Sequence, residues 1–267
     1  GATRFWNVET GEVAQPMGAE PPVGSLALSP DGSTFAVGTE HTVSLYDLQT
    51  GSHVRNILVA ESDPAPFAFS PDGRTLAIEG QDGATVEFLD IETGEKLDSF
   101  HLDDGDAIDG FAFSPDGNRL LVAYHYGLQG PKSYWVYYRA ALVSLLDKKI
   151  LASYRDNLMD RRIAYSPDGS LYAVVPRRIE VYDGNTLTLV SEFSHGHSGY
   201  IPAMAFSPDG TKLLYGPRVH DARTGEVLRE FPLRMHDNEV AYSPDGNKVA
   251  IEDTRNDTVT IWDVSDL

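Results

Sequence analysis

The tetrapeptide Ser-Pro-Asp-Gly occurs six times, beginning at Ser29, Ser70, Ser114, Ser166, Ser207 and Ser243, at intervals of 41, 44, 52, 41 and 36 residues. No other feature constrains the fold as much. Proline presets φ at the first corner of a turn, aspartate bonds forward to the backbone, and glycine accepts positive φ, so each copy reverses the chain between two strands. A period near 40 residues fits a unit of four short strands that cannot bury its faces without neighbours, the unit of a β-propeller blade.

The residues around each turn repeat as well. An alanine stands two positions upstream in all six copies (Ala27, Ala68, Ala112, Ala164, Ala205, Ala241), flanked by large apolar residues such as Phe67 and Phe69 or Met204 and Phe206. That alternation is strand geometry, with the small residue on a face another sheet approaches closely. Downstream comes a second apolar strand, such as 34–37 or 248–251, and then a third that closes on a large residue followed by Asp. The closures are read at Tyr46-Asp47, Leu89-Asp90, Leu146-Asp147, Tyr182-Asp183, His220-Asp221 and Trp262-Asp263, with a further copy at Arg4-Phe5-Trp6-Asn7. Thr-Gly turns follow at Thr10-Gly11, Thr50-Gly51, Thr93-Gly94 and Thr224-Gly225, each leading into a fourth strand such as 96–102.

On these repeats, and on Gly196-His197 ahead of a first strand, essentially the whole chain resembles the WD-repeat β-propeller family. The resemblance implies an all-β propeller of four-stranded antiparallel blades in a single domain spanning 1–267. Only Trp262-Asp263 is a literal Trp-Asp, and Gly-His is nearly absent elsewhere, so packing is expected to replace most of the family's buried hydrogen-bond network. Seven third strands against six Ser-Pro-Asp-Gly turns give a seven-blade register with one incomplete blade. A full seven-blade ring at about 42 residues per blade needs roughly 294 residues. Six blades, sealed by the N-terminal strands, is the alternative. The chain begins at Gly1 rather than Met and is expected to be excised from a longer one.

Composition narrows the partners. With 21 Lys and Arg against 40 Asp and Glu, the net charge of −19 repels phosphate backbones and anionic lipid surfaces, so neither nucleic acid nor membrane is expected. The basic spots Arg161-Arg162 and Arg177-Arg178 are candidate contacts for an acidic peptide or phosphate, although solvated surface charge accounts for them more simply. No cysteine is present, which excludes disulfides, thiol catalysis and cysteine metal sites. The N-terminus lacks a signal-peptide pattern, and the expected compartment is cytoplasmic.

The longest interval carries its excess between the second and third strands, in 125–139. There Tyr126, Tyr134, Trp135, Tyr137 and Tyr138 stand beside Gly127, Gly130, Pro131 and Lys132. Exposed aromatic side chains anchor protein partners because they bury large area at low entropy cost, whereas a lengthened hairpin would pack them on its own blade. Asp103, Asp104, Asp106 and Asp109 crowd one loop but miss the regular spacing of a calcium loop. His195 and His197 flank Gly196 without a third zinc ligand nearby. Neither a Gly-x-Ser-x-Gly nucleophile motif nor a phosphate-cradling glycine loop occurs.

The reading that follows is a non-catalytic interaction scaffold without a cofactor. It binds a basic or mixed-charge protein or peptide through its acidic loop face, with an effector domain expected on the longer chain. By resemblance, bacterial members of the family are often fused to kinase, protease-like or signalling ATPase domains. The rival is a propeller enzyme, or the gating domain of a peptidase or lactonase, and a cluster of His and carboxylates at the channel mouth would favour it.

Overall fold

The computed structural model describes residues 10, 12, 25–39, 41–59, 66–102, 105, 107–129, 134–158, 162–175, 178–194, 203–233, 239–253, 256 and 258–267. They form six antiparallel sheets, all of whose strands neighbour one another in sequence order. The first contains β1 (Ser25–Leu28), β2 (Thr34–Gly38), β3 (Thr42–Asp47) and β4 (His53–Leu58); the second contains β5 (Phe67–Phe69), β6 (Thr75–Glu79), β7 (Thr85–Asp90) and β8 (Lys96–His101). The third contains β9 (Ala107–Phe113), β10 (Arg119–Gln129), β11 (Tyr134–Ser144) and β12 (Lys149–Leu158). The fourth comprises β13 (Ile163–Tyr165), β14 (Leu171–Val174), β15 (Ile179–Asp183) and β16 (Leu189–Phe193); the fifth, β17 (Met204–Phe206), β18 (Lys212–Tyr215), β19 (Arg218–Asp221) and β20 (Val227–Glu230). The sixth has three strands, β21 (Val240–Tyr242), β22 (Lys248–Asp253) and β23 (Thr258–Asp263). Six sheets are thus described, against the seven-blade register expected; the Arg4–Asn7 copy lies outside the described residues.

The chain divides into two compact units, 1–113 with 124–136, and 114–123 with 137–267. In both, Ser-Pro-Asp-Gly turns join first to second strands. Each serine Oγ donates to the carboxylate two residues on, at 2.5–2.6 Å, and accepts the N–H five residues on, at 2.9–3.0 Å. The carboxylate also accepts the N–H two residues beyond it. These bonds to its charged form, from the Ser29 hydroxyl first and then Ser33, pull Asp31 down to about 2. The six glycines hold φ between +69° and +74°. Successive turns stack within a unit: a Cβ on Gly73 would meet Pro30, one on Gly169 would meet Pro115, and one on Gly246 would meet Pro208, at 3.3–3.7 Å.

This turn places the upstream alanine opposite another alanine in four sheets, as Ala27↔Ala36, Ala68↔Ala77, Ala164↔Ala173 and Ala241↔Ala250. Small residues on both strands let the adjacent sheet approach. The second strands are correspondingly the most buried, with Leu76, Ala77, Leu171, Tyr172 and Leu213 all at 0% exposure.

A second recurring turn follows the third strand. Asp47, Asp90 and Asp221 each accept the N–H and hydroxyl of the Thr three residues on, and the next residue is glycine at φ of +70° to +76°. The third sheet departs from the expected closure at Leu146-Asp147. β11 ends at Ser144, and Leu145 N–H bonds Asn118 O just as Leu48 N–H bonds Ser33 O. Ser144 therefore occupies the closing-Asp position, while Leu146 and Asp147 lie in the turn after it. Lys148 takes the glycine position at φ +53°, as Leu187 does in the fourth sheet at +60°.

Packing stands in for polar links at Trp262 and His220. The Trp262 indole N–H finds no hydrogen-bond partner among the described residues, and its ring packs against Phe231. His220 is buried, stacks on Phe193 at 4.5 Å, and lies 3.2 Å from Gly225 O through Nδ1. Burial lowers its pKa below 6.5; Arg218 nearby adds to this, while the Gly225 carbonyl and Glu230 oppose it.

Two outcomes follow from these positions. Lys148→Gly relieves a left-handed lysine and is expected to stabilise the fold by about 1 kcal/mol, raising the melting temperature by about 2–3 °C; a lowered melting temperature would contradict the strain. Because the unfolded chain protonates His220 at a higher pH than the folded one does, stability falls as pH drops below 6.5. Denaturant titrations at pH 7 and pH 5 should therefore show a smaller acid loss for His220→Tyr than for the unsubstituted chain, and equal losses would refute the assignment.

Candidate partner-binding site

The third sheet differs from the rest in the length of its central hairpin. β10 and β11 run eleven residues each, against four to six for every other described second or third strand. The aromatic insertion at 125–139 is thus mostly strand rather than loop. Tyrosines and valine extend the ladder because aromatic and β-branched side chains fit a pleated surface. A register shift between Tyr138 and Ala140 marks a bulge in the β11–β12 pairing, a device that bends a strand and re-aims its side chains.

Tyr126 lies half-buried on β10, and Tyr137 and Tyr138 lie half-buried on β11. Val136 beside them is 40% exposed. Tyr134 and Trp135 belong to β11 by backbone, and their side chains fall outside the described ones. Asp103, Asp104, Asp106, Arg161, Arg177, His195 and His197 are also outside the described residues. The neighbours of the two arginines form surface ion pairs, Arg162 to Glu239 at 2.7 Å and Arg178 to Glu192 at 3.3 Å, of the kind that contributes little.

One pairing joins residues the sequence kept apart. Asp109 on β9 reaches His125 on β10, Oδ2 to Nδ1 at 2.8 Å, with the carboxylate almost fully buried and the imidazole 28% exposed. Beside it the buried Glu79 of β6 accepts the Ile108 N–H at 2.9 Å. The Glu79 bond ties β9 to the second sheet, and the Asp109–His125 pair ties β9 to β10 within the third. A histidine oriented by a buried carboxylate is also half of a nucleophile-activating arrangement. Among the described residues no three His, Asp or Glu side chains converge to hold a metal ion. No described helix is long and apolar enough to cross a membrane.

Comparison with known proteins places this arrangement. The family described as WD domain, G-beta repeat matches residues 14–47. The Periodic tryptophan protein 2 homolog of Schizosaccharomyces pombe is 32% identical over 34% of this chain and 11% of its own length. Human WD repeat-containing protein 36 is 28% identical over 70% of this chain and 21% of its own. The small ribosomal subunit protein RACK1 of Schizosaccharomyces pombe is 30% identical over 38% and 34%. The chain thus spans well under half the length of these relatives. Among solved structures, a chain of Kuenenia stuttgartiensis hydrazine synthase superposes with a TM-score of 0.77 at 18% identity, covering 99% of this chain and 90% of that one. A chain of the mitotic checkpoint complex gives 0.75 at 16%, covering 98% and 83%, and at these identities the likeness is one of fold. In its repeated turns, its four-stranded sheets and these relatives, the chain is similar to WD-repeat β-propeller proteins, with the repeat itself matched at residues 14–47.

Proposed function

We propose that the protein is a non-catalytic scaffold, one propeller domain that binds a basic or mixed-charge protein or peptide. The observation that carries this reading is the elongated β10–β11 hairpin, with its run of tyrosines and Trp135, on an otherwise regular set of short-stranded sheets. Rigid elements hold binding residues more precisely than loops do, and aromatic residues dominate binding energy at protein interfaces. The net charge of −19 supports electrostatic steering of a basic partner. Tyr126, Tyr134, Tyr137 and Tyr138 are the proposed companions of Trp135, with Asp103, Asp104 and Asp106 as the acidic component and Arg161 and Arg177 as local cationic contacts. Relatives that carry WD repeats in their names favour a scaffold over the peptidase or lactonase reading.

The six described sheets, one for each Ser-Pro-Asp-Gly turn, support the alternative of six blades in place of the seven-blade register.

The test of the scaffold role is retention of partners on the immobilised chain. Proteins bound at low salt and released as salt rises should be lost from the Trp135→Ala, Tyr137→Ala double variant, at an unchanged melting temperature. Retention of the same proteins by the variant, or salt-independent retention by the unsubstituted chain, would defeat this reading.

A further inference from the structure

Adjacent sheets within a unit meet through a fixed pair of positions. The fourth-strand residue opposite the position four before the closing residue (Asp, or Ser144) faces the residue just before the closing Asp of the following sheet. In the second unit this pair is aromatic each time: ring centroids are 5.1 Å apart for Tyr154 and Tyr182, 4.5 Å for Phe193 and His220, and 5.1 Å for Phe231 and Trp262. These rings fill the outer end of the wedge between sheets. Phe193 sits so close to the next turn that a Cβ on Gly225 would lie 2.7 Å from its ring.

Between the first and second sheets the same positions hold Ile57 and Leu89, which share one core cluster. Here no ring reaches the following turn, and a Cβ on Gly94, the counterpart of Gly225, would meet nothing within 4 Å. The wedge instead opens into a cavity of about 740 Å³ with Ile78 and Leu89 at its floor. Leu58, 80% exposed, overhangs it, and Asp82, Glu87 and Lys96 line the remainder. Glu87 pairs with Lys96 at 2.6 Å and Asp82 lies 3.5 Å from the His101 imidazole, so two carboxylates face one fixed cation, the Lys96 ammonium. Asp82 accepts the Thr85 hydroxyl and the Ala84 and Thr85 amides, bonds that favour its charged form.

We propose that this wedge is a binding site for a partner segment carrying an aromatic side chain beside a basic one. The ring takes the volume that an intramolecular ring takes in the wedges of the second unit, and the cation meets Asp82 and Glu87. The volume lies in the range of small-ligand sites, and an apolar floor with few polar groups is their usual chemistry. The site is separate from the β10–β11 hairpin and does not depend on the reading given to it.

Acetyl-Phe-Arg-amide titrated into the isotope-labelled 267-residue chain is the probe, followed by backbone amide shifts. Saturable shifts are expected at Leu58, Ile78, Leu89 and Ser99, with acetyl-Ala-Arg-amide and acetyl-Phe-Glu-amide at least tenfold weaker. Leu89→Trp supplies the missing ring from within, as at Trp262, and should abolish the binding while leaving the melting temperature equal or higher. Glu87→Gln, a conservative change on the wall, should weaken the arginine peptide at least threefold and leave acetyl-Phe-amide unaffected. Equal binding of the alanine peptide, shifts centred elsewhere, or undiminished binding in Leu89→Trp or Glu87→Gln would each overturn the proposal. The Trp135→Ala, Tyr137→Ala variant should bind the peptide normally, which keeps failure here distinct from failure of the hairpin site.

Discussion

Each sheet depends on one serine hydroxyl used in two directions. It donates to an aspartate held ionised in the turn and accepts the amide that opens the second strand, so the first two strands leave the turn in a single register. Register then decides which side chains face a neighbouring sheet, because a slip of one residue would exchange the two faces of a strand. The alanine pairs that allow close approach, and the large residues that fill the space between sheets, occur where this register places them. Stacked prolines and glycines carry the same constraint from one turn to the next within a unit.

The parts of the fold written in contiguous residues were legible from sequence. Pro, Asp and Gly in fixed order have one local use, and alternation of alanine with phenylalanine names a strand and its inner face. Legibility failed where one residue type stands in for another. Ser144 holds the position of a closing aspartate and Lys148 that of a glycine, so Leu146-Asp147 resembles the repeat while lying three residues past it. The aromatic segment after His125 offered no clean alternation, and its strands emerge only from the ladder it shares with its neighbours.

The candidate sites were less legible than the fold because they depend on contacts between distant positions. Asp109 and His125 lie 16 residues apart and meet only across the β9–β10 end of one sheet. The wedge at Leu89 cannot be seen in either strand alone. It exists because Ile57 on one sheet and Leu89 on the next are both too small to fill what Phe193 with His220, or Phe231 with Trp262, fill elsewhere. The regularity of the sheets makes such a departure conspicuous. Both proposed contacts, the long hairpin and the open wedge, are departures from an otherwise repeated pattern.

The central claim is that the serine hydroxyl, rather than the turn sequence in general, holds each sheet in register. Ser166 offers the most direct test, because it is fully buried and bonds Asp168 at 2.6 Å and the Leu171 amide at 2.9 Å. Ser166→Ala keeps the Pro-Asp-Gly corner and removes only the hydroxyl. Equilibrium denaturation of this variant should show a loss of about 1–3 kcal/mol, with faster hydrogen exchange at the Leu171 amide than in the unsubstituted chain. Stability within about 0.5 kcal/mol of the unsubstituted chain, with the Leu171 amide equally protected, would contradict the account.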